Sequence, residues 1–470
     1  MNELAIELTL GTDKCLYQQI YEYIKQEIRS GKLPKNEKLP STRSLAEYLQ
    51  IARSTVDSAY SQLLAEGYIT AKPCKGYFVS GIEDLVDLSK EEIHNPVIEE
   101  RTDEKKKEDH IKYDFSPHAI SMKSFPFATW KKITKEILVD ANSEMFALGD
   151  PQGDRELRST IGRYLHSSRG VNCEPGQIII GAGTDYLLML LEKILGRHIP
   201  IAMENPTYRR AYQVFQSFGY QIEVLPMDQN GLSAEALYAS RARVAYVMPS
   251  HQFPTGTVMP IGRRLELLKW AEQEDGRYLI EDDYDSEFRY RGKPIPSLQA
   301  SDRSGKVIYI GTFSKSIAPA IRVGYMVLPP TLMEIYKENC GFYASTVSRI
   351  DQKILNEFIK NGYFERYLNK MRKIYRDKHD FLLEQIKGLE RDFVISGENA
   401  GLHLLLTSKN GILEKELLEK AEKEGIRLYG MSDTLFAYQN TVLLGYGALG
   451  KEEIEQGIGL LKKAWKDLLS

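Results

Sequence analysis

Two apolar runs that end in polar clusters constrain this chain more than any other feature. Arg277-Tyr278-Leu279-Ile280 leads into Glu281-Asp282-Asp283-Tyr284, and Val307-Ile308-Tyr309-Ile310 leads into Gly311-Thr312-Phe313-Ser314-Lys315. Short apolar stretches bounded by polar residues read as buried strands. Each delivers its polar residues from its carboxyl end, which is where open α/β sheets bind ligands. The expected fold is α/β, with a candidate site where these two strands end.

A lysine ε-amine whose surroundings lower its pKa can form a Schiff base with an aldehyde. Lys315 stands at such a strand-to-loop junction, but the chain has many lysines and the stronger signal is the set of partners. Pyridoxal 5'-phosphate (PLP) needs a carboxylate at its pyridine nitrogen, a phosphate cradle and a stacked ring. Asp282 is the candidate carboxylate, and Tyr284 the candidate donor to the cofactor's phenolic oxygen. Arg322 offers a planar fork suited to phosphate, and Thr312 adds a hydroxyl. Gly183 and Thr184, in the turn Gly181-Ala182-Gly183-Thr184, allow close backbone approach ahead of a helix read from Tyr186. Tyr208, in Glu204-Asn205-Pro206-Thr207-Tyr208, is the candidate stacking ring. Taken singly, an acid after a strand is a cap and an arginine is a surface charge. Their order and spacing make the joint case.

From about Tyr113 onward the chain resembles a fold type I PLP-dependent aminotransferase domain. The matching pieces are Leu148-Gly149-Asp150-Pro151-Gln152-Gly153 with Leu157-Arg158, Gly183-Thr184, Asn205-Pro206-Thr207-Tyr208, Pro254-Thr255-Gly256, Asp282-Asp283-Tyr284, and Thr312-Phe313-Ser314-Lys315 with Arg322. The resemblance implies a large domain with a mostly parallel sheet and a small C-terminal α/β domain.

Residues 1–80 follow a separate pattern. Tyr17, Ile20, Tyr21, Ile24 and Ile28 share one helical face that ends near Ser30-Gly31-Lys32. A second helix opens after Pro40 with Ser41 as its N-cap, followed by Thr42-Arg43, and carries Leu45, Ala46 and Leu49. After Gln50-Ile51-Ala52 a third presents Arg53, Ser54 and Thr55 at its start and buries Val56, Tyr60, Leu63 and Leu64. This is helix-turn-helix spacing, in which short polar side chains and an arginine at the start of the second helix of the pair reach base edges. Glu66-Gly67-Tyr68-Ile69 and Lys72 to Val79 read as two strands of a small hairpin, with Lys75 and Gly76 in a basic turn. Ten Lys or Arg against nine Asp or Glu up to Ser80 give no strong basic field, so placement carries the DNA-binding argument.

Leu39-Pro40-Ser41-Thr42-Arg43, Arg53-Ser54-Thr55-Val56, Glu66-Gly67-Tyr68-Ile69 and Gly76-Tyr77-Phe78-Val79 resemble the winged helix-turn-helix of GntR-type regulators. The resemblance implies DNA contacts by Ser41, Arg43, Arg53, Ser54, Thr55, Lys75 and Gly76. Asp57 departs from relatives that place another arginine there. A GntR-type head on an aminotransferase-like body is the layout of the MocR/GabR regulators, which implies a head-to-tail homodimer on a double-stranded DNA operator. Residues 81–112 lie between the two parts, with mixed charge and little apolar content, and read as a solvated linker; the body is expected over 113–470.

At 470 residues the chain exceeds the size of a single core, and 42% hydrophobic content with a net charge of -3 fits a soluble cytoplasmic protein. No apolar run is long enough to span a membrane, and Met1-Asn2-Glu3-Leu4 does not read as a signal segment. Cys15, Cys74, Cys173 and Cys340 make neither a metal spacing nor a disulfide framework.

The expected ligand is a small amine or amino acid that exchanges with Lys315 in the Schiff base, or PLP itself. Arg210 matches one arginine that holds the effector carboxylate in GabR-like proteins. The second such arginine is replaced, since Gly430-Met431-Ser432 is followed by Asp433, and Val442-Leu443-Leu444-Gly445-Tyr446 carries no guanidinium where aminotransferases place one. That pattern weakens both an efficient α-amino-acid transaminase and a GabR-like effector, and leaves a diamine or amino-acid amide open. The alternative is an active aminotransferase with an appended DNA-binding head.

Overall fold

The computed structural model describes residues 6, 8–9, 14–81, 110–290, 295–398, 400–434 and 439–469, with the backbone alone for 140–142 and 433–434. Most of the span read as a linker, and the side chain of Asp433, lie outside the described residues. The chain divides into two compact units, Met1–Thr102 and Asp103–Ser470.

In the first unit α1 (Leu16–Arg29) buries Ile20, Ile24 and Ile28, a spacing of four that aligns them on one face. The next helix, α2 (Thr42–Leu49), is capped by the Ser41 hydroxyl, which accepts from the Ser44 N–H at 3.1 Å. Gln50 ends α2 in the left-handed region at φ 54°, so the chain turns within three residues into α3 (Arg53–Ala65). Val56, Ala59, Tyr60 and Leu63 are the buried stripe of α3, while Leu64 is only partly buried. The wing strands β1 (Ile69–Lys72) and β2 (Gly76–Val79) pair antiparallel, Ile69 opposite Val79 and Lys72 opposite Gly76. Both differ from the sequence reading: Tyr68 precedes the ladder, and Lys72 closes the first strand. Pro73 has no N–H for the ladder and must fall in the turn, where Lys75 N–H reaches Lys72 O at 3.0 Å.

The second unit is built on an eight-stranded sheet. After the short β3 (Tyr113–Asp114) its strands are β4 (Ile178–Gly181), β5 (Ile201–Asn205), β6 (Ile222–Asp228), β7 (Gly231–Leu232), β8 (Val244–Val247), β9 (Tyr278–Asp283), β10 (Val307–Thr312) and β11 (Gly324–Val327). Their order is β4-β11-β10-β9-β8-β5-β6-β7, and the pairs from β10 through β6 are parallel. Side chains alternate across the sheet, so along β10 Ile308 and Ile310 enter one core cluster while Tyr309 enters another. Both faces are therefore covered, and functional groups can emerge only at strand ends.

The C-terminal part adds β12 (Phe393–Ser396), β13 (His403–Ser408), β14 (Ile426–Arg427), β15 (Tyr429–Gly430) and β16 (Thr441–Gly445). β12, β13, β16 and β15 form an antiparallel sheet in that order, and β14 pairs with β3. Helix Lys451–Trp465 closes this layer, its buried Trp465 indole donating to Leu417 O at 3.0 Å. Among the described residues no helix is long and apolar enough to cross a membrane.

Candidate cofactor cavity and DNA-facing head

The parallel register of β9 and β10 sets Asp282 opposite Ile310 and Asp283 opposite Gly311, which brings the two polar strand ends side by side. A cavity of about 490 Å³ opens there. Lys315, Asp282, Tyr284, Thr312, Arg322, Tyr208, Thr184 and Arg210 all line it. Thr184 and Arg322, 138 positions apart in sequence, thus meet in one place.

Asp282 lies within β9, not after it, and is 4% exposed. Tyr246 donates its hydroxyl to Oδ2, while Oδ1 has no partner among the described residues. Burial pushes the carboxyl up to about 7, with the Tyr246 hydrogen bond opposing and Asp283 and Asp285 adding to the rise. A buried carboxylate with one oxygen unpartnered is the acceptor that a protonated pyridine nitrogen requires. Lys315 donates to Pro117 O at 2.8 Å, and burial holds its amine down to about 8 against the attraction of Asp285. At neutral pH a useful fraction is therefore uncharged and nucleophilic.

The far end of the cavity suits a phosphate. Gly183, at φ 87°, caps the helix Thr184–Leu195, which begins two residues earlier than the sequence reading because the glycine turn leads straight into it. A Cβ on Gly183 would stand 2.6 Å from the Arg322 guanidinium, so only glycine leaves that space. Arg322 donates to Ala182 O at 3.2 Å and lies 3.3 Å from Asp185. Helix N-terminus and guanidinium converge on one point, as an anion site needs. Tyr208 packs edge-on against Phe253, with ring centroids 5.8 Å apart.

Two of the expected roles look different in place. The Tyr284 hydroxyl sits 3.1 Å from His251 Nδ1, so it already has a protein partner. Arg210 pairs with Asp185 at 2.6 Å on the exposed rim. Residues absent from the sequence reading also line the cavity, among them His118, Met248, Phe253 and Tyr429. The surroundings of His118, with Lys315 and Arg210 adding to burial, hold its imidazole down to about 4 and so keep it neutral. Arg158, singled out with the Gly-Asp-Pro-Gln-Gly run, is a buried staple: it bonds Gly153 O, Pro175 O and Asp150 and lies outside the cavity lining.

On the head, Arg43 and Arg53 are exposed, and each leans on an acid one turn along, Glu47 at 3.0 Å and Asp57 at 3.5 Å. Ser54 is exposed and Thr55 half-buried at the start of α3, and Lys75 and Gly76 are exposed at the wing turn. Gly76 takes φ 99°, which favours glycine. Ser41 spends its hydroxyl on the α2 cap, so a DNA contact from it would share that oxygen.

Residues 121–435 match the family "Aminotransferase class I and II", and residues 16–79 match "Bacterial regulatory proteins, gntR family". A multiple substrate aminotransferase from Thermococcus profundus superposes with a TM-score of 0.70 at 25% identity, covering 78% of this chain and 95% of that one. Over nearly full length the chain is 32% identical to the probable rhizopine catabolism regulatory protein MocR of Rhizobium meliloti, covering 98% of this chain and 96% of the relative. The chain belongs to the MocR-type family of HTH-type transcriptional regulators. An uncharacterized HTH-type transcriptional regulator of Bacillus subtilis (strain 168), YdeL, is 41% identical over 96% of this chain and 97% of its own length. The MocR-type chain is a PLP-dependent DNA-binding regulator. Its cavity fits that cofactor on the two observations above, the unpartnered Asp282 oxygen and the space that only Gly183 leaves beside Arg322.

The titration of Lys315 has a measurable consequence. Attachment of PLP to the apoprotein should quicken about tenfold per pH unit below pH 8 and level off above it, since only the neutral amine reacts. The rate at which the absorption band of lysine-bound cofactor grows, followed from pH 6 to 10, checks this.

Proposed function

We propose that this regulator senses a small primary amine or amino acid at Lys315 and answers by changing how its head holds an operator. The observation that carries the reading is Lys315, with its lowered pKa, in one cavity with Asp282, on a chain that also carries a GntR-type head. The bound cofactor supplies a carbon that can exchange one primary amine for another. Asp282 holds a proton at the pyridine nitrogen, and Arg322 with the Gly183-Thr184 turn holds the phosphate. Tyr208 would cover one ring face. Lys315 would hold the cofactor through its amine and would take up a proton when another primary amine replaces it. Arg210 is the candidate for an effector carboxylate, in exchange for Asp185.

Arg43, Arg53, Ser54, Thr55, Lys75 and Gly76, with Ser41 at the cap, are the proposed DNA-facing set. Phe127, Phe146, Leu148 and Phe342, between 67% and 91% exposed, support a homodimer that would cover them. A DNA operator as the target supports a cytoplasmic location. The test is to add amines, diamines and amino acids in turn to the holoprotein while following its visible spectrum and its affinity for operator DNA. A stable spectral shift with a changed affinity supports the sensor. Release of a keto acid at each turnover, with no change in DNA binding, would favour an aminotransferase instead.

Arg53→Ala should weaken operator binding by about 1–3 kcal/mol if the guanidinium reads a base, and lower the salt slope by about one if it neutralises a phosphate. Fluorescence anisotropy across a salt series separates the two.

A further inference from the structure

The geometry points to His251 as a positioning residue that acts through Tyr284 and ties the cofactor cavity to the Gly401 turn of the C-terminal layer. This rests on PLP occupying the cavity at Lys315, and is independent of any regulatory role. His251 is 3% exposed, and its Nδ1 stands 3.0 and 3.1 Å from the Asp285 carboxylate oxygens and 3.1 Å from the Tyr284 hydroxyl. Tyr284 lines the cavity; Asp285 is the carboxylate whose attraction reaches Lys315. One imidazole nitrogen therefore contacts both a hydroxyl that lines the cavity and the carboxylate whose charge attracts Lys315.

The other edge of the ring faces the C-terminal layer. A Cβ on Gly401 would fall 2.1 Å from His251 Cε1, so the imidazole fills the space a side chain there would take. Gly401 is fixed from the cofactor side as well: its N–H donates to Phe288 O at 3.0 Å, and Phe288 N–H donates to Asp285 O at 3.0 Å. Its carbonyl accepts from the hydroxyls of Tyr290 at 2.5 Å and Tyr446 at 2.8 Å. Two residues on, His403 opens β13 and donates to Pro254 O at 2.8 Å. The loop holding His251 and the segment holding Asp285 are thus both bonded to the entry of β13. A change in the hydrogen bond that Tyr284 makes has a short packed route to that strand, because the ring lies against Gly401.

Hydrogen exchange tests this with PLP as the only probe. Adding PLP to the wild-type apoprotein should slow exchange around residues 400–406 about tenfold. His251→Phe keeps a ring against Gly401 but lacks Nδ1; it should still form the lysine-bound absorption band and lose that slowing. His251→Gln, which can bond both Asp285 and Tyr284, should keep it, and this second variant carries the test if the phenylalanine form does not fold. No slowing in the wild type, slowing in His251→Phe equal to wild type, or its loss in His251→Gln with the band intact would each overturn the proposal.

Discussion

Lys315→Ala removes the absorption band of covalently held cofactor and, with it, any response to amines, while the head still binds DNA. Lys315 is the one lysine among the described residues lining the cavity, and a guanidinium does not take the place of an amine in a Schiff base. PLP would then rest on its phosphate and ring contacts alone. Losing one of two linked attachments weakens retention by about 100-fold or more, the low end of what an intramolecular second contact contributes. Equilibrium dialysis of PLP measures that loss. The variant also frees Pro117 O, which water in the open cavity can satisfy, so the unfolding midpoint should move little. A band that survives the substitution would place the attachment on another lysine. Unchanged amine response without the band would mean that covalent exchange is no part of sensing.

The sequence was most legible where chemistry follows from strand ends. Asp282, Thr312 and Lys315 sit near the ends of parallel neighbours because apolar runs of three or four residues, buried on both faces, leave polar groups nowhere else to emerge. The head was legible for a similar reason: Ile20, Ile24 and Ile28, the Ser41 cap and the Gln50 turn are local signals, each decided within one or two turns of chain. What escaped depends on long-range meetings. Nothing near His251 announces a partner 34 residues away, and the contact exists only because β8 and β9 lie side by side in the sheet. Tyr284 was read as a donor to the cofactor's phenolic oxygen, but the sequence does not fix which protein atom its hydroxyl meets. Arg158 shows the converse: a family motif residue that looks chemical in sequence turns out to staple Asp150, Gly153 and Pro175. Asp285 was in plain view, one residue past the cluster. Only its contact with His251 and its attraction for Lys315 show why it is there.

Arg169→Ala is expected to destabilise the body by about 3–5 kcal/mol, the cost of leaving a buried charge without its partner. Arg169 ends the helix Arg155–Arg169 yet is buried, and its Nε lies 2.8 Å from Asp283 Oδ2, with the two side chains 5% and 1% exposed. Its remaining N–H groups reach Ile295 O and the Ser250 hydroxyl, and Tyr309 donates to the same Asp283 oxygen. Alternation along β9 turns Asp283 to the face opposite Asp282, so this network forms the back of the cofactor site. Removing the guanidinium strands the carboxylate in a region water does not reach. Replacing both charges, as Arg169→Met with Asp283→Leu, should recover most of the lost stability, because the desolvation cost disappears along with the pair. Urea unfolding of the three proteins measures the difference. Strand β9 would be loosened in the single variant, so added PLP should also raise its unfolding midpoint less than it raises the wild type's. If the double variant is as unstable as the single one, then packing by the arginine stem, not charge, holds this part of the sheet together.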